Sequence, residues 1–387
     1  MGMLRVGLAA LAAAVIAGGC ANLGGGAKKN AGGVPDPAAP PGTQTGPPAG
    51  QTAAPPGNEQ SAKKGWGPWM ASPIVSSNPK LGTSLGAIGG ILYYFDEQSR
   101  VSMLGLSAQY SSTDSYKVAL SAKTSFGADR HRAKLALSGG RILNDYEDYL
   151  DTGIALKNEE TAWGLGGNYL YRVAGNWFAG AQAMFKNYQV IGQTSSDEET
   201  LALLGVTGLR SGGVGAVVQN DARDNDNRPT RGWLLNADTF AFREALGSDY
   251  DYDVYRIDLR GYWSQRGGHV LAARQNNQWT VDAPLEAESS ISLRGYKSGQ
   301  YLGRNVATVE VEERFHLARR WSGTAFAGLG CLYGGGKSCT DAENLYPSAG
   351  AGIQFVLVPK EGILGSLEYG RGKDDNSGVY LKVGYSF

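Results

Sequence analysis

Hydrophobic and polar residues alternate one by one over many short stretches of this chain. In the clearest stretch, one set of alternate positions is mostly apolar and the other mostly charged: Tyr255, Ile257, Leu259, Gly261 and Trp263 against Arg256, Asp258, Arg260 and Tyr262. The end of the chain alternates in the same way, with Val379, Leu381, Val383, Tyr385 and Phe387 on one face. Because successive side chains of a strand point to opposite faces, this pattern predicts strands whose two faces differ chemically.

Such stretches follow one another from Trp66 to the end and are separated by turn residues, which predicts an all-β chain of about sixteen strands. We expect strands at 70–77, 82–95, 100–112, 116–127, 131–143, 160–172, 176–190, 211–223, 232–243, 250–264, 268–281, 304–318, 321–333, 346–358, 361–371 and 376–387. Short connections such as 174–175 and 318–320 would lie at one end, and longer ones such as 282–303 at the other.

Alternation alone fits a soluble sandwich as well as a membrane barrel, whose charged face lies inside. Only 19% of the residues are charged, and the 57 Gly, 20 Tyr and 8 Trp suit tight turns and aromatic girdles. No apolar run after the first twenty residues is long enough for a spanning helix, so a membrane-spanning chain must be a closed barrel. The ending at Val383, Tyr385 and Phe387 resembles the C-terminal assembly signal of bacterial outer-membrane barrels. We therefore predict a transmembrane antiparallel β-barrel.

The first residues read as an export leader. Arg5 precedes an apolar run, and residues 1–19 followed by Cys20 resemble a lipoprotein signal peptide with Cys20 as the lipidated residue. Ordinary cleavage near Ala21, which would discard Cys20, stays open. Residues 20–65 are rich in Gly, Pro and Ala and predict a disordered periplasmic linker, so the barrel would occupy 66–387 of an integral outer-membrane protein.

Two internal motifs stand out. The first comprises Asp221, Arg223, Asp224, Pro229, Thr230 and Gly232, and the second is Leu293, Arg294, Gly295 and Tyr296. Pro229 fixes φ and Gly232 permits unusual φ, so the first motif predicts a rigid strand entry with paired charges, although a solvated turn remains the alternative. The second lies in the long 282–303 connection, where a confined guanidinium requires a carboxylate.

Together these motifs resemble the bacterial surface antigen family, the barrels of BamA, TamA and the two-partner secretion transporters. The first matches the family's D-x-R-D…P-T-x-G signature, and the second its V-R-G-F/Y tip on the sixth extracellular loop, which folds back into the lumen. The resemblance implies a role in outer-membrane protein insertion or translocation, through a weak seam between the first and last strands. It implies a monomeric barrel whose partners are outer-membrane lipid, the assembly machinery that inserts it and client proteins. The linker leaves no room for the family's POTRA domains.

The chain departs from the family at one position. The family pairs the loop arginine with an Asp on a later strand, and Gly328 stands where that Asp is expected. By strand parity Glu310 and Glu312 face the lumen, so we expect Arg294 to pair with Glu312 and then Glu310. Glu313 would face lipid unless it lies near the membrane interface.

The remaining chemistry is sparse. Cys331 and Cys339 predict a disulfide in an exported protein, with free buried thiols as the alternative. The three histidines, His131, His269 and His316, are scattered along the chain, and no nucleophile-elbow, metalloprotease or phosphate-loop motif occurs. We therefore expect neither an enzymatic activity nor a bound metal or cofactor. The zero formal net charge does not favour nucleic acid. Two other roles stay open: a passive structural or narrow-pore barrel, and a membrane anchor for a periplasmic partner.

Overall fold

Sixteen strands form one antiparallel barrel in the computed structural model, which describes residues 64–78, 82–146, 155–203, 208–296, 301–359, 362–373 and 376–383. They are β1 Gly65–Asn78, β2 Gly82–Tyr94, β3 Ser102–Ser111, β4 Tyr116–Phe126, β5 His131–Tyr146, β6 Leu156–Ala174, β7 Trp177–Gly192, β8 Gly208–Asp221, β9 Gly232–Phe242, β10 Tyr252–Ser264, β11 Val270–Val281, β12 Asn305–Ala318, β13 Trp321–Tyr333, β14 Leu345–Val358, β15 Ile363–Arg371 and β16 Ser377–Val383. Each strand pairs with the next, and β16 returns to β1. The predicted all-β barrel is confirmed.

The two faces of the wall are opposite in chemistry to those of a soluble protein. On β10 the apolar set is exposed, including Tyr255 and Ile257, whereas Tyr262 points inward and is buried. On β12 the inward set is buried although it includes Glu310 and Glu312. An apolar outer face around a charged lumen is the arrangement of a transmembrane barrel.

The connections are unequal at the two ends of the barrel. We call the end with the turns 175–176, 265–269 and 319–320 the short-turn end, and the opposite end, with the 282–304 connection, the long-loop end. Aromatic rings follow the short-turn end from one strand to the next, with centroids 4.8–5.8 Å apart: Trp66, Tyr93, Phe95, Phe126 and His131. Such a belt marks the level of the membrane interface.

Glu313 belongs to this interface level. Its Oε1 atom lies 3.6 Å from Nδ1 of His269, at the start of β11, and its Oε2 atom accepts a hydrogen bond from Gln265 in the adjoining turn. This outward carboxylate therefore has polar neighbours at the edge of the apolar band.

The seam between β1 and β16 is the thinnest junction of the described wall. Only Ser77 and Val379 pair across it among the described residues, whereas β15 and β16 pair at seven positions. β1 also begins at Gly65, earlier than the 70–77 strand predicted from sequence. The Gly and Pro residues of this stretch interrupt the alternation, so the sequence did not indicate a strand there. Pro68 falls where the register with β2 shifts, and a strand does not need the missing N–H of proline at such a position.

One helix, α1 Ser195–Leu203, lies in the connection between β7 and β8. Its start is closed by reciprocal hydrogen bonds: the Asp197 amide donates to Thr194 Oγ1, and the Thr194 amide donates to the Asp197 carboxylate. This capping pattern, a Thr followed three residues later by an acid, was the missed sequence signal. No helix within the described ranges is long and apolar enough to cross a membrane.

The lumen is narrow near the short-turn end because opposite walls touch. Leu364 of β15 packs with Tyr262 of β10 and Ala272 of β11, and its neighbour Ile363 packs with Leu92 and other apolar residues of the β2–β3 region. The predicted leader, Cys20, Tyr385 and Phe387 lie outside the described residues, whereas Val383 ends β16.

Candidate functional site

The connection 282–304, which we call the lumen loop, folds back inside the wall from the long-loop end. A two-residue antiparallel ladder, Ser289–Ser290 with Leu302–Gly303, closes its neck. Its tip is anchored by a buried apolar cluster that joins loop and wall: Ile291, Leu293, Tyr296, Val306, Leu332 and Tyr346. The second sequence motif therefore occupies the tip of a loop that is packed against the barrel interior.

Glycines of the wall make room for this tip. A Cβ atom at Gly370 would lie 2.9 Å from the Gly295 amide nitrogen, and one at Gly372 would lie 2.4 Å from the Tyr296 ring. Gly295 itself has φ +102°, a conformation that a side chain rarely adopts. Close approach of two backbones thus fixes the position of the tip.

Gly328, the departure from the family pattern, belongs to the same surface. A Cβ atom there would lie 3.1 Å from Cδ2 of Leu293 and 3.2 Å from the Val309 carbonyl oxygen. An aspartate at this position would crowd the loop tip. The space beside Gly328 is taken by Leu293 of the loop tip.

Arg294 is surrounded by carboxylates from two strands of the wall. Its Nη1 atom lies 2.7 Å from Glu312 Oε2, and its Nη2 atom lies 2.8 Å from Glu310 Oε1, both on β12. A third carboxylate, Glu368 on β15, lies 3.2 Å from Nη1. The guanidinium also covers the Phe326 ring, with Cζ 3.5 Å from the ring centroid.

The charges of this cluster balance. Arg314 Nε lies 3.1 Å from Glu312, and Lys382 Nζ lies 3.5 Å from Glu368, so three cations face three carboxylates. Burial alone would lower the pKa of Arg294, and the three carboxylates outweigh it and raise that pKa. The paired geometry and this direction agree that Arg294 stays charged although it is buried.

The tip is also tied to the last strand. The Gly295 amide donates a hydrogen bond of 2.9 Å to the Tyr380 hydroxyl on β16. The Tyr296 hydroxyl donates to the Pro347 carbonyl oxygen at 2.6 Å and accepts from the Lys373 amide. One loop tip thus contacts strands β12 to β16, including the strand that forms the seam.

The connection 222–231, which we call the mouth loop, crosses the short-turn end. It follows Asp221, the last residue of β8, whose side chain is 1% exposed and accepts from three guanidiniums. Arg223 binds it through two nitrogens at 2.8 and 3.1 Å, Arg100 at 2.7 Å and Arg132 at 3.0 Å. Asp221 and Arg223 of the first sequence motif therefore belong to a buried ion cluster, whereas Asp224 of the same motif is exposed.

Asp226, within the mouth loop, extends the same cluster. It binds Arg100, lies 3.1 Å from Lys123 Nζ on β4 and lies 3.3 Å from Arg223 Nη2. These contacts fix the loop to the β2–β5 side of the barrel.

The far half of the mouth loop contacts the opposite wall. Arg314 of β12 donates to the Pro229 carbonyl oxygen at 2.8 Å, and Arg228 donates to Ser322 Oγ of β13 at 3.1 Å. Asp224 accepts from the amide and the hydroxyl of Thr230, which holds the loop's return. The loop therefore bridges walls on opposite sides of the barrel mouth.

Gly232 begins β9 directly after this loop. Its φ is +96°, and a Cβ atom there would lie 2.1 Å from the Ala222 carbonyl oxygen. A residue other than glycine would therefore be strained and would collide with the other arm of the hairpin.

The other sequence-predicted residues lie apart from these clusters. Cys331 and Cys339 form a disulfide where β13 meets the following loop. His131 lies 2.6 Å from the Tyr169 hydroxyl in the aromatic belt, and His269 contacts Glu313. His316 lies on β12, next to the turn that carries His269, whereas His131 lies on β5.

Sequence reasoning missed several contributors to the two clusters, among them Glu368, Tyr380, Arg100 and Lys123. Glu368 carried a signal, because alternation along β15 places it on the buried face between outward Leu367 and Tyr369. Arg100 carried none, because it lies in a turn far from Asp226 in sequence.

Comparison with protein-family models and with curated proteins finds no match. Among solved structures, BamA from Haemophilus ducreyi lacking POTRA domains 1–3 superimposes with a TM-score of 0.51 at 15% identity, over 82% of this chain and 69% of that one. CdiB from Acinetobacter baumannii gives 0.56 at 11% identity over 82% and 59%, and CdiB from Escherichia coli 0.53 at 14% over 83% and 63%. This chain spans less than two thirds of both CdiB chains. The resemblance to a BamA-type barrel is confirmed at the level of the fold.

Proposed function

We propose that this BamA-type barrel acts in outer-membrane protein insertion or translocation, with the short-turn end in the periplasm and the long-loop end outside the cell. The likeness in fold to BamA and CdiB supports this role, as does the lumen loop with its Arg294 tip. Its partners would be outer-membrane lipid and client outer-membrane or secreted proteins. Catalysis of a chemical reaction is not part of the proposal.

The observation that carries the proposal is the joint arrangement of seam and tip. β1 and β16 share one described backbone pair, and β16 is held from inside by Tyr380 and by the Lys382–Glu368 ion pair. Because the described part of β16 has one backbone pair with β1 and firm contacts with the lumen loop and β15, we infer that it can part from β1 while the remaining barrel stays folded. Parting would expose unpaired strand edges to which a client strand can add.

The test is to lock the seam. Ser77→Cys together with Val379→Cys places one cysteine on each strand at their paired position, and oxidation would join β1 to β16. In cells depleted of the native protein, the oxidised variant should fail to restore the outer-membrane protein profile, and a reducing agent should restore it.

The matched control joins β15 to β16 through Leu367→Cys and Leu381→Cys, which lie opposite each other in the register of the two strands. It should support a normal profile in both redox states. Full activity of the seam-locked barrel would refute lateral opening, and a profile unchanged by depletion of the native protein would refute the assembly role.

A passive pore is the second candidate, and the geometry opposes it. The mouth loop spans the lumen, and Leu364 meets Tyr262 across it, so described residues obstruct the lumen at the short-turn end. Planar-bilayer recordings separate the two roles, because a passive pore gives steady conductance in the native protein. Anchoring of a partner through the predicted linker cannot be judged from the structure, because residues 20–63 lie outside the described residues.

A further inference from the structure

A pocket rich in arginine opens at the short-turn end, outside the two ion clusters described above. It has a volume of about 410 Å³ and lies between the mouth loop, the β12–β13 turn and the β14–β15 turn. Four guanidinium-bearing residues line it, Arg228, Arg231, Arg319 and Arg320, together with Asp224. Its volume falls within the range of small-ligand sites.

The charges of this pocket are not balanced within the described residues. Asp224, its one described carboxylate, is already engaged with the amide and hydroxyl of Thr230. None of the ion pairs found among the described residues includes Arg228, Arg319 or Arg320, in contrast to the neutral Arg294 cluster. Among the described residues, the pocket therefore carries more basic than acidic side chains.

Arg228 gives an independent indication of the same deficit. Its guanidinium donates to the neutral hydroxyl of Ser322. Burial lowers the pKa of Arg228, and the positive charge of Arg314 lowers it further. A half-buried guanidinium held beside another cation is costly unless an anion joins it, and the planar guanidinium fork suits anions with several oxygens, such as phosphate.

The position of the pocket indicates where that anion comes from. Trp321 directly follows Arg320, is 44% exposed and lies 4.7 Å, centroid to centroid, from Phe355. Leu317, on the other side of the turn, is 59% exposed. Outward aromatic and apolar side chains beside a pair of arginines mark the headgroup level of the membrane.

We propose that this pocket binds a phosphate group, supplied by a phospholipid headgroup of the adjoining leaflet or by a free phosphate. Arg319 and Arg320 reach it from the wall, and Arg228 and Arg231 reach it from the mouth loop. A bound phosphate thereby holds the mouth loop against the β12–β14 wall. The inference needs only the fold and does not depend on the proposed role in insertion or translocation.

The test measures phosphate binding to the full chain. The double variant Arg319→Gln, Arg320→Gln is compared with Arg130→Gln, Arg266→Gln, which removes two exposed arginines from other turns at the same end. Phosphatidylglycerol is titrated into the detergent-solubilised protein and bound lipid is counted by native mass spectrometry. Inorganic phosphate is titrated in a parallel calorimetry experiment.

We expect the Arg319/Arg320 variant to bind phosphatidylglycerol about tenfold more weakly than the native chain, and the control within about twofold of it. The same arginine dependence for inorganic phosphate alone supports the pocket and identifies a free anion as its occupant. Equal binding by both variants in both titrations overturns the proposal. So does binding of an acidic peptide, such as poly-glutamate, by a native chain that binds neither phosphate probe.

Discussion

Two loops enter this barrel from opposite ends, and their charged clusters are built in opposite ways. The lumen loop brings one cation, Arg294, to three carboxylates of the wall. At the mouth loop the acids are the shared groups, since Asp221 and Asp226 each accept from three basic side chains.

The two clusters differ in how many ion pairs remain for each carboxylate when one basic side chain is removed. Among the described ion pairs, Glu310 has Arg294 alone, although Glu312 also has Arg314 and Glu368 also has Lys382. Glu310 is therefore the carboxylate of this cluster that depends on one basic side chain. Arg132, which is about as buried as Arg294, shares its acids with other cations, because Asp221 keeps Arg223 and Asp129 keeps Arg172. Among the described residues, the Arg294–Glu310 ion pair therefore has no substitute, whereas the aspartates of the mouth-loop cluster keep other basic partners when one is removed.

The largest effect is expected from Arg294→Gln. It leaves Glu310 buried without its cation and removes the link between β12 and β15, and breaking a buried pair in this way costs about 3–5 kcal/mol. The free energy of unfolding, from urea denaturation followed by tryptophan fluorescence, measures it. Hydrogen exchange at residues 291–296 should rise as the tip detaches.

Arg210→Gln is the control, because Arg210 pairs with Asp249 at an exposed site and its loss should change the free energy of unfolding by less than about 1 kcal/mol. Equal effects of the two substitutions on the free energy of unfolding would contradict the interpretation that the ion pair of Arg294 has no substitute.

The fold was predictable because each wall residue obeys a local rule. One face of every strand meets lipid and the other meets the lumen, so alternation along Val254–Ser264 or around Glu310 and Glu312 can be read without knowing the neighbours. The first strand was misjudged at its start, where Pro68 and two glycines interrupt the alternation at the thin seam.

The sites were predictable only as far as they lie on strands or in motifs. Parity placed Glu310 and Glu312 inside, and the motif singled out Arg294. The contributions of Arg100 and Tyr380 could not be inferred, because they depend on which distant segments the loops reach after the barrel closes. The alternation in a sequence indicates which face of a strand a side chain occupies, but it does not indicate the path of a loop across the lumen.

The next largest effect is expected from Asp221→Asn. It leaves Arg100, Arg132 and Arg223 close together with less negative charge, at a cost of about 2–3 kcal/mol. Because the mouth loop would loosen, ion conductance in planar bilayers should rise above that of the native protein. Asp249→Asn, at an exposed pair with Arg210, should change neither quantity. An unaltered conductance in Asp221→Asn would mean that the loop does not close the mouth.

A smaller effect at the lumen loop should come from Gly370→Ala. The added methyl group would lie 2.9–3.0 Å from the backbone of Arg294 and Gly295, so the tip must shift, at about 1–2 kcal/mol. Gly365→Ala, on the same strand but with its Cβ 3.4 Å from the flexible end of Leu357, should be neutral. Hydrogen exchange at residues 291–296 distinguishes the two variants, and equal exchange would show that Gly370 does not position the loop tip.

The smallest effect is expected from Arg132→Gln, the same chemical change as Arg294→Gln at a similarly buried arginine. Asp221 would keep Arg223 and Arg100, so most of the loss should be the contact of the guanidinium with the Phe178 ring, 3.9 Å from its centroid. We expect the free energy of unfolding to fall by about 1 kcal/mol. A loss as large as that of Arg294→Gln would show that the shared aspartates give no redundancy, and that both ends of the barrel depend on single arginines.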